Sequence, residues 1–314
     1  MTAPAATSTA SVQAAPHAEM QQIMAALADA SIEVSARAAK HLEEGLQVLR
    51  PGTAVFISLI PGETYQDALL VAKRLRRAGF EPVPHVIARS LASFTQLNDY
   101  LAQATGEAGV ERVLVIAGDG ARPVGPFETS LQLLQTGVFE KHGIRRITVA
   151  GHPEGSPWIS AQALDDALAA KVAFAGRAGI ELTLATQFVF EAEPVLAWMA
   201  RLQARDLLVP VRVGLSGPAS ITTLMKFALR CGVGPSIRAL GLHAAAIARL
   251  LTVAGPEPVI RKLAPAVASS GAPAIRGFHF FPFGGFDRTC RWLRAAQDGK
   301  FEFRQGEAGF RVAS

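Results

Sequence analysis

The stretch IRRITVAGHPEGSP (144–157) decides how the rest of the chain is read. Arg145 and Arg146 lead into a short apolar run, 147–150, long enough for one strand. The run gives way to Gly151-His152-Pro153-Glu154-Gly155, where the backbone must turn and polar side chains gather. A buried strand that ends in Gly, His, Pro and Glu is the pattern of an α/β protein whose chemistry sits at the carboxyl ends of its strands.

The same unit recurs on both sides. Strands are expected at SIEVSA (31–36), AVFISLI (54–60), EPVPHVIA (81–88) and RVLVIAG (112–118). RRITVAG (145–151), ELTLATQFVF (181–190), LVPVRVGL (208–215) and AIRGFHFFPF (274–283) complete the set. Several are continuous apolar runs, which suits strands buried on both faces of a parallel sheet. Helices are expected between them: 38–49, 65–78 capped by Thr64 and stopped by Gly79, from Ser90 to about 106, 127–134, 161–178, 194–203 and 220–231. Two more, 236–253 and 256–268, precede the eighth strand, and 286–296 follows it; an amphipathic helix, 17–28, opens the series. Strict β–α alternation demands parallel strands joined by right-handed crossovers, and eight such units close into a barrel. An open doubly wound sheet is the alternative, but it would carry a GxGxxG after its first strand, and none stands there. The expected fold is therefore α/β, a single-domain (βα)8 TIM barrel over 17–300. A disordered tail, 1–16, precedes it and a short tail, 301–314, follows.

Composition agrees with a large core: 314 residues, 50% hydrophobic and 18% charged. No run approaches the roughly 18 apolar residues of a membrane span. The net charge of +5 and a pI near 9.6 come from scattered arginines, with no basic stripe interleaved with aromatics. That disfavours a nucleic-acid partner and suits an anionic small molecule equally well. Cys231 and Cys290 have no CxxC spacing and read as reduced thiols of a cytoplasmic protein. Residues 1–16 lack the charged and apolar regions of a secretory signal.

Polar residues at the strand ends are the candidates for chemistry. They are Glu33, His85, Asp119, His152 with Glu154, Gln187 and His279. Each has a plain alternative: a lone His can be a satisfied core residue, and Asp119 or Glu154 can cap a loop or helix. Their convergence on one rim is harder to dismiss than any one of them. His85, Asp119, His152 and His279 could be weighed as a metal cluster, but no strand end shows HxH or DxH, so no metal is expected.

With these residues in place, the chain resembles the methylenetetrahydrofolate reductase family over residues 30–297. Ser31-Ile32-Glu33-Val34 stands where that family has a strand carrying its catalytic Glu. Phe56-Ile57-Ser58, Pro84-His85, Gly118-Asp119, Val149-Ala150-Gly151-His152-Pro153-Glu154, Lys171, Thr186-Gln187-Phe188 and Gly277-Phe278-His279-Phe280 follow in the family's order. The resemblance implies an FAD-containing barrel that uses NADH or NADPH to reduce methylenetetrahydrofolate. It implies catalytic roles for Glu33 and Asp119, folate contacts for Gln187, Phe188, Ile221 and His279, and cofactor contacts for His85, Gly118, His152, Glu154 and Lys171. Glu33, flanked by Ile32 and Val34, is expected to have a raised pKa and to serve as general acid. Four places depart from the family pattern: Ala117 replaces Arg, His152 replaces Tyr, Ile60-Pro61 replaces a Thr, and Pro282-Phe283-Gly284 replaces Thr-Leu-Asn. The first two bear on flavin binding, because Arg offsets the charge of a pyrophosphate and Ala cannot; Arg89 or Arg122 could substitute. Direct hydride transfer from nicotinamide to folate is the flavin-free alternative. A flavin barrel acting on another substrate, in the manner of proline dehydrogenases, and a non-catalytic folate-binding protein are the rival readings.

Overall fold

The computed structural model describes residues 10–37, 42–119, 122–231, 255–268, 274–283 and 285–313. Eight parallel strands form a closed barrel in chain order: β1 (Ser31–Ser35), β2 (Ala54–Ser58), β3 (Glu81–Ile87), β4 (Arg112–Ile116), β5 (Arg146–Gly151), β6 (Glu181–Val189), β7 (Val211–Ser216) and β8 (Ile275–Phe281). Closure is the pairing of β1 with β8, Ser31 opposite His279 and Ile32 opposite Phe280. The expected (βα)8 fold is the fold found.

Helices fill the connections: α1 (Ala10–Leu27), α2 (Leu42–Val48), α3 (Tyr65–Arg77), α4 (Phe94–Ala108), α5 (Ser130–Leu134), α6 (Val138–Lys141), α7 (Ala161–Ala178), α8 (Glu193–Ala204), α9 (Ile221–Cys231), α10 (Glu257–Ala268) and α11 (Phe286–Gln297). Local chemistry sets their ends. Thr64 opens α3 with a reciprocal capping box to Asp67, and Gly109 and Gly179 stop α4 and α7 in the left-handed region. The cap of α4 is Ser93 rather than Ser90; Ser90 instead bonds the Tyr65 hydroxyl. Helix α1 begins at Ala10 and runs through Pro16. The helix expected at 127–134 is the shorter α5, and α6 follows it beyond the expected range. The helix expected at 236–253 lies outside the described residues. In residues 301–313, β9 (Phe301–Glu302) and β10 (Arg311–Val312) form an antiparallel pair that buries Phe301 and Phe310 beside Trp292.

Alternation along each strand sorts side chains between two cores. Val55 and Ile57 of β2 join the outer core with Leu69, Ala72 and Leu75 of α3. Ala54 and Phe56 point inward, against Val83 of β3 and Leu114 of β4. Below them, the amino ends of the strands carry charge. Glu81 Oε1 lies 3.5 Å from Arg112 Nε and 3.3 Å from Arg146, Arg146 also pairs with Glu111, and Arg212 pairs with Asp29 at 2.5 Å. The barrel interior is a packed column with an ionic lower tier.

Candidate active site

On β1, Ser31 and Glu33 are two residues apart and so project to the same, inner side. Glu33 meets inward residues of β3 and β8. Its Oε2 is 3.4 Å from His85 Nε2 and 3.8 Å from His279 Nε2, with 19% of its side chain exposed. The second nitrogen of His279, Nδ1, is 2.9 Å from the Ser31 hydroxyl, and both residues are buried. Phe56 packs against both imidazoles, its ring centroid 4.5 Å from that of His279 and 6.4 Å from that of His85. Three residues that the sequence scatters over the chain thus form one acid–imidazole cluster.

The electrostatics of this cluster correct one expectation. Burial pushes the Glu33 carboxyl up, but the hydrogen bond from His279 and the charges of His85 and His279 outweigh it, and the pKa falls below the usual carboxylate value. Its flanks, Ile32 and Val34, face the outer core and do not decide the matter. His85 moves in the direction burial dictates, down to about 4, despite the attraction of Glu33. At neutral pH the site therefore holds a carboxylate beside a neutral imidazole.

Above the cluster, an aromatic wall continues from His279. Phe281 stands edge-on to His279 at 4.8 Å, Phe188 contacts Phe281 at 5.9 Å and Phe283 at 4.9 Å, and Phe283 stacks on Phe227 at 4.3 Å. Phe283 adopts a φ of 47°, a backbone state that costs a bulky residue about 1–3 kcal/mol and that carries its ring into this wall. Phe188 is thus brought to the site. Gln187 sits in an irregularity of β6, between Ala185 and Phe188, and its Oε1 accepts the Phe188 N–H.

The remaining candidates lie farther out. Asp119 is exposed, three residues past the end of β4, and makes no hydrogen bond or ion pair among the described residues. Gly118 precedes it at φ 93°, and a Cβ there would collide with Ile87. His152 and Lys171 are half-buried and form a second pair. Burial, then the nearby Lys171 charge, brings His152 to about 4, and burial lowers Lys171. Among the described residues no carboxylate pairs with Lys171, and burial alone shifts it. Glu154 is turned to a lateral cleft of about 530 Å³ that it shares with Asp165 and Arg201, on the flank between α7 and α8. Ile221 is the half-buried first residue of α9. Among the described residues, no group of His, Cys, Asp or Glu is arranged to hold a metal ion, and no helix is long and apolar enough to cross a membrane.

Ser31, Phe56, Phe227, Phe281 and Phe283 belong to the site although their residue types announce no chemistry. For Ser31 and Phe281 the signal was present: each is two positions from a polar inward residue on its own strand, Glu33 and His279. No protein-family model matches the chain. Among solved structures, 7,8-dihydropteroate synthase from Vibrio fischeri ES114 aligns over 87% of this chain and 93% of its own, with a TM-score of 0.43 and 13% sequence identity. A likeness at that level carries no argument about chemistry.

Proposed function

We propose that this barrel is an oxidoreductase of the methylenetetrahydrofolate reductase type. It takes hydride from NADH or NADPH and reduces 5,10-methylenetetrahydrofolate to 5-methyltetrahydrofolate, or runs that step in reverse. The observation that carries the reading is Glu33, held inside the barrel by imidazoles under an aromatic wall.

The reaction needs a proton on the leaving nitrogen of the five-membered ring, so that the C–N bond breaks and an iminium forms. Hydride then adds to the methylene carbon, and the nicotinamide is oxidised. A carboxyl group with a depressed pKa is a poor acid by itself, but here it is not by itself. With the Ser31 hydroxyl donating to Nδ1 of His279, Nε2 carries the proton and faces Glu33. The proton that reaches substrate is then shared by the Glu33–His279 pair and is replaced from solvent, because the nicotinamide supplies hydride and releases no proton. Phe281 and Phe283, half-buried over the buried Phe188, offer flat apolar faces to a heteroaromatic ring, and Asp119 is free to turn toward developing iminium charge at the mouth.

The residues present fit an FAD in part. Lys171 and His152 supply an electropositive spot with no carboxylate partner among the described residues, suited to its phosphates. When bound, the flavin supplies a two-electron relay between nicotinamide and folate. One observation favours the flavin-free variant of the same reaction. His85 is turned inward against Glu33 with 6% of its surface exposed, leaving it little to offer a cofactor at the mouth.

The test is NAD(P)H oxidation by the purified protein, with and without methylenetetrahydrofolate and with and without added FAD. Folate-dependent oxidation is expected, and Glu33→Gln is expected to lower it about 10²–10⁴-fold. Oxidation indifferent to folate under every condition would remove the reductase reading.

A further inference from the structure

We propose that His85 is a positioning residue for Glu33: its buried Nε2 fixes the carboxylate from the side opposite His279, so that one carboxylate oxygen is gripped between two imidazoles. The inference rests on the reading of Glu33 as the proton-handling residue and goes beyond the cofactor contact that the sequence suggests for His85.

The geometry points this way on three counts. First, His85 Nε2 is buried and has no hydrogen-bond partner among the described residues, yet it lies 3.4 Å from Glu33 Oε2. A buried imidazole nitrogen left without a partner is costly, and such orphans in folded proteins mark strain, function or an absent solvent molecule. A small rotation of either side chain closes this gap to a hydrogen bond. Second, both imidazoles address the same oxygen, Oε2, from β3 and from β8. Third, Phe56 of β2 stands between them, edge-on to His85 at an interplanar angle of 79° and tilted at 58° to His279, and so limits the swing of both rings. Among the described residues, the strands packed around Glu33 contribute no other titratable group to this contact. β1 supplies Ser31, β2 supplies Phe56 and Ser58, and the partner of His85 on β4 is Leu114.

The consequence is a rotamer held before substrate arrives. A carboxylate free to swing would spend time away from the leaving nitrogen, and displacement of about 1 Å at a reacting group can cost 10²-fold in rate. His85 acts through Glu33 and need not touch substrate.

The decisive measurement needs no substrate. The Glu33 carboxyl is titrated by carbon-13 NMR in the whole protein, in wild type and in His85→Phe, whose ring fills the same space without a nitrogen. Expected is a Glu33 titration displaced to higher pH in the variant; an unmoved titration overturns the proposal. If His85→Phe does not fold, the reciprocal reading in Glu33→Gln serves: the imidazole of His85, which titrates at about 4 in wild type, should move lower once the carboxylate is gone, and an unmoved imidazole overturns the proposal equally. In turnover assays, His85→Phe is expected to lower kcat about 10- to 100-fold with little change in KM, and His85→Gln to recover part of it. Coupled titrations in a protein without folate-dependent turnover would uphold the Glu33–His85 contact and sink the reductase reading alone.

Discussion

His85 and His152 are both held at about 4, well below an ordinary imidazole near 6.5, and this fixes how stability responds to acid. Above pH 6.5 each ring is neutral in the folded and the unfolded chain, and the folded state loses nothing. Between 6.5 and about 4 the unfolded chain binds a proton that the folded site refuses, so stability falls as pH falls through that window. For His85 the full loss is about 3 kcal/mol, and His152 adds to it in the same sense. Thermal melts from pH 7.5 to 4.5 should show a steadily falling Tm, with a shallower slope in His85→Asn. Below that window, protonation of Glu33, whose pKa is also depressed, takes away more. None of this was legible at Glu33 itself. Its neighbours in sequence, Ile32 and Val34, suggest an apolar pocket and a raised pKa. Its neighbours in space, His85 and His279, come from the third and eighth strands and reverse the sign. Burial can be read from adjacent residues, but a charge partner across a barrel cannot.

At the level of strands and helices, periodicity carried far. The eight strands stand where the apolar runs place them, because a parallel barrel strand is buried on both faces and has to be written in Val, Ile, Leu and Ala. What the pattern does not encode is register. β6 carries an irregularity between Ala185 and Phe188, and β7 meets it with Gly214, whose absent Cβ would collide with the backbone carbonyls of Thr186 and Gln187 and stand 2.8 Å from the Phe281 ring. That close approach is what lets Phe188 and Phe281 share the aromatic wall. Gly214→Ala should therefore cost about 1–3 kcal/mol by overpacking, read as a lower urea midpoint, and should spread Phe188 from Phe281. Gly137, at φ 71°, separates α5 from α6, a helix of four residues, too short for a periodic pattern to announce. The pairing of β9 with β10 is not legible in the sequence because each strand is two residues long, too short for any alternation to register.

For the molecule as a whole, the ionic tier at the amino end of the barrel is the feature with the widest reach. Glu81 answers two guanidiniums, Arg112 and Arg146, in a setting only 19% exposed at its side chain. Removing one member of such a set leaves charge without compensation, so Glu81→Ala should destabilise by about 3 kcal/mol, and added salt should recover little of it because the site is shielded from bulk ions. A denaturant melt of the variant at low and high ionic strength measures both. This tier, with Ala54, Val83 and Leu114 packed above it, also fills the barrel beneath Glu33, so whatever enters must leave by the way it came. A vessel with one opening imposes an order of traffic. For the proposed reductase, if a resident flavin stores the electrons, nicotinamide can depart before folate arrives, and double-reciprocal plots will run parallel. If hydride passes directly, both molecules must crowd the same opening at once, and the lines will cross.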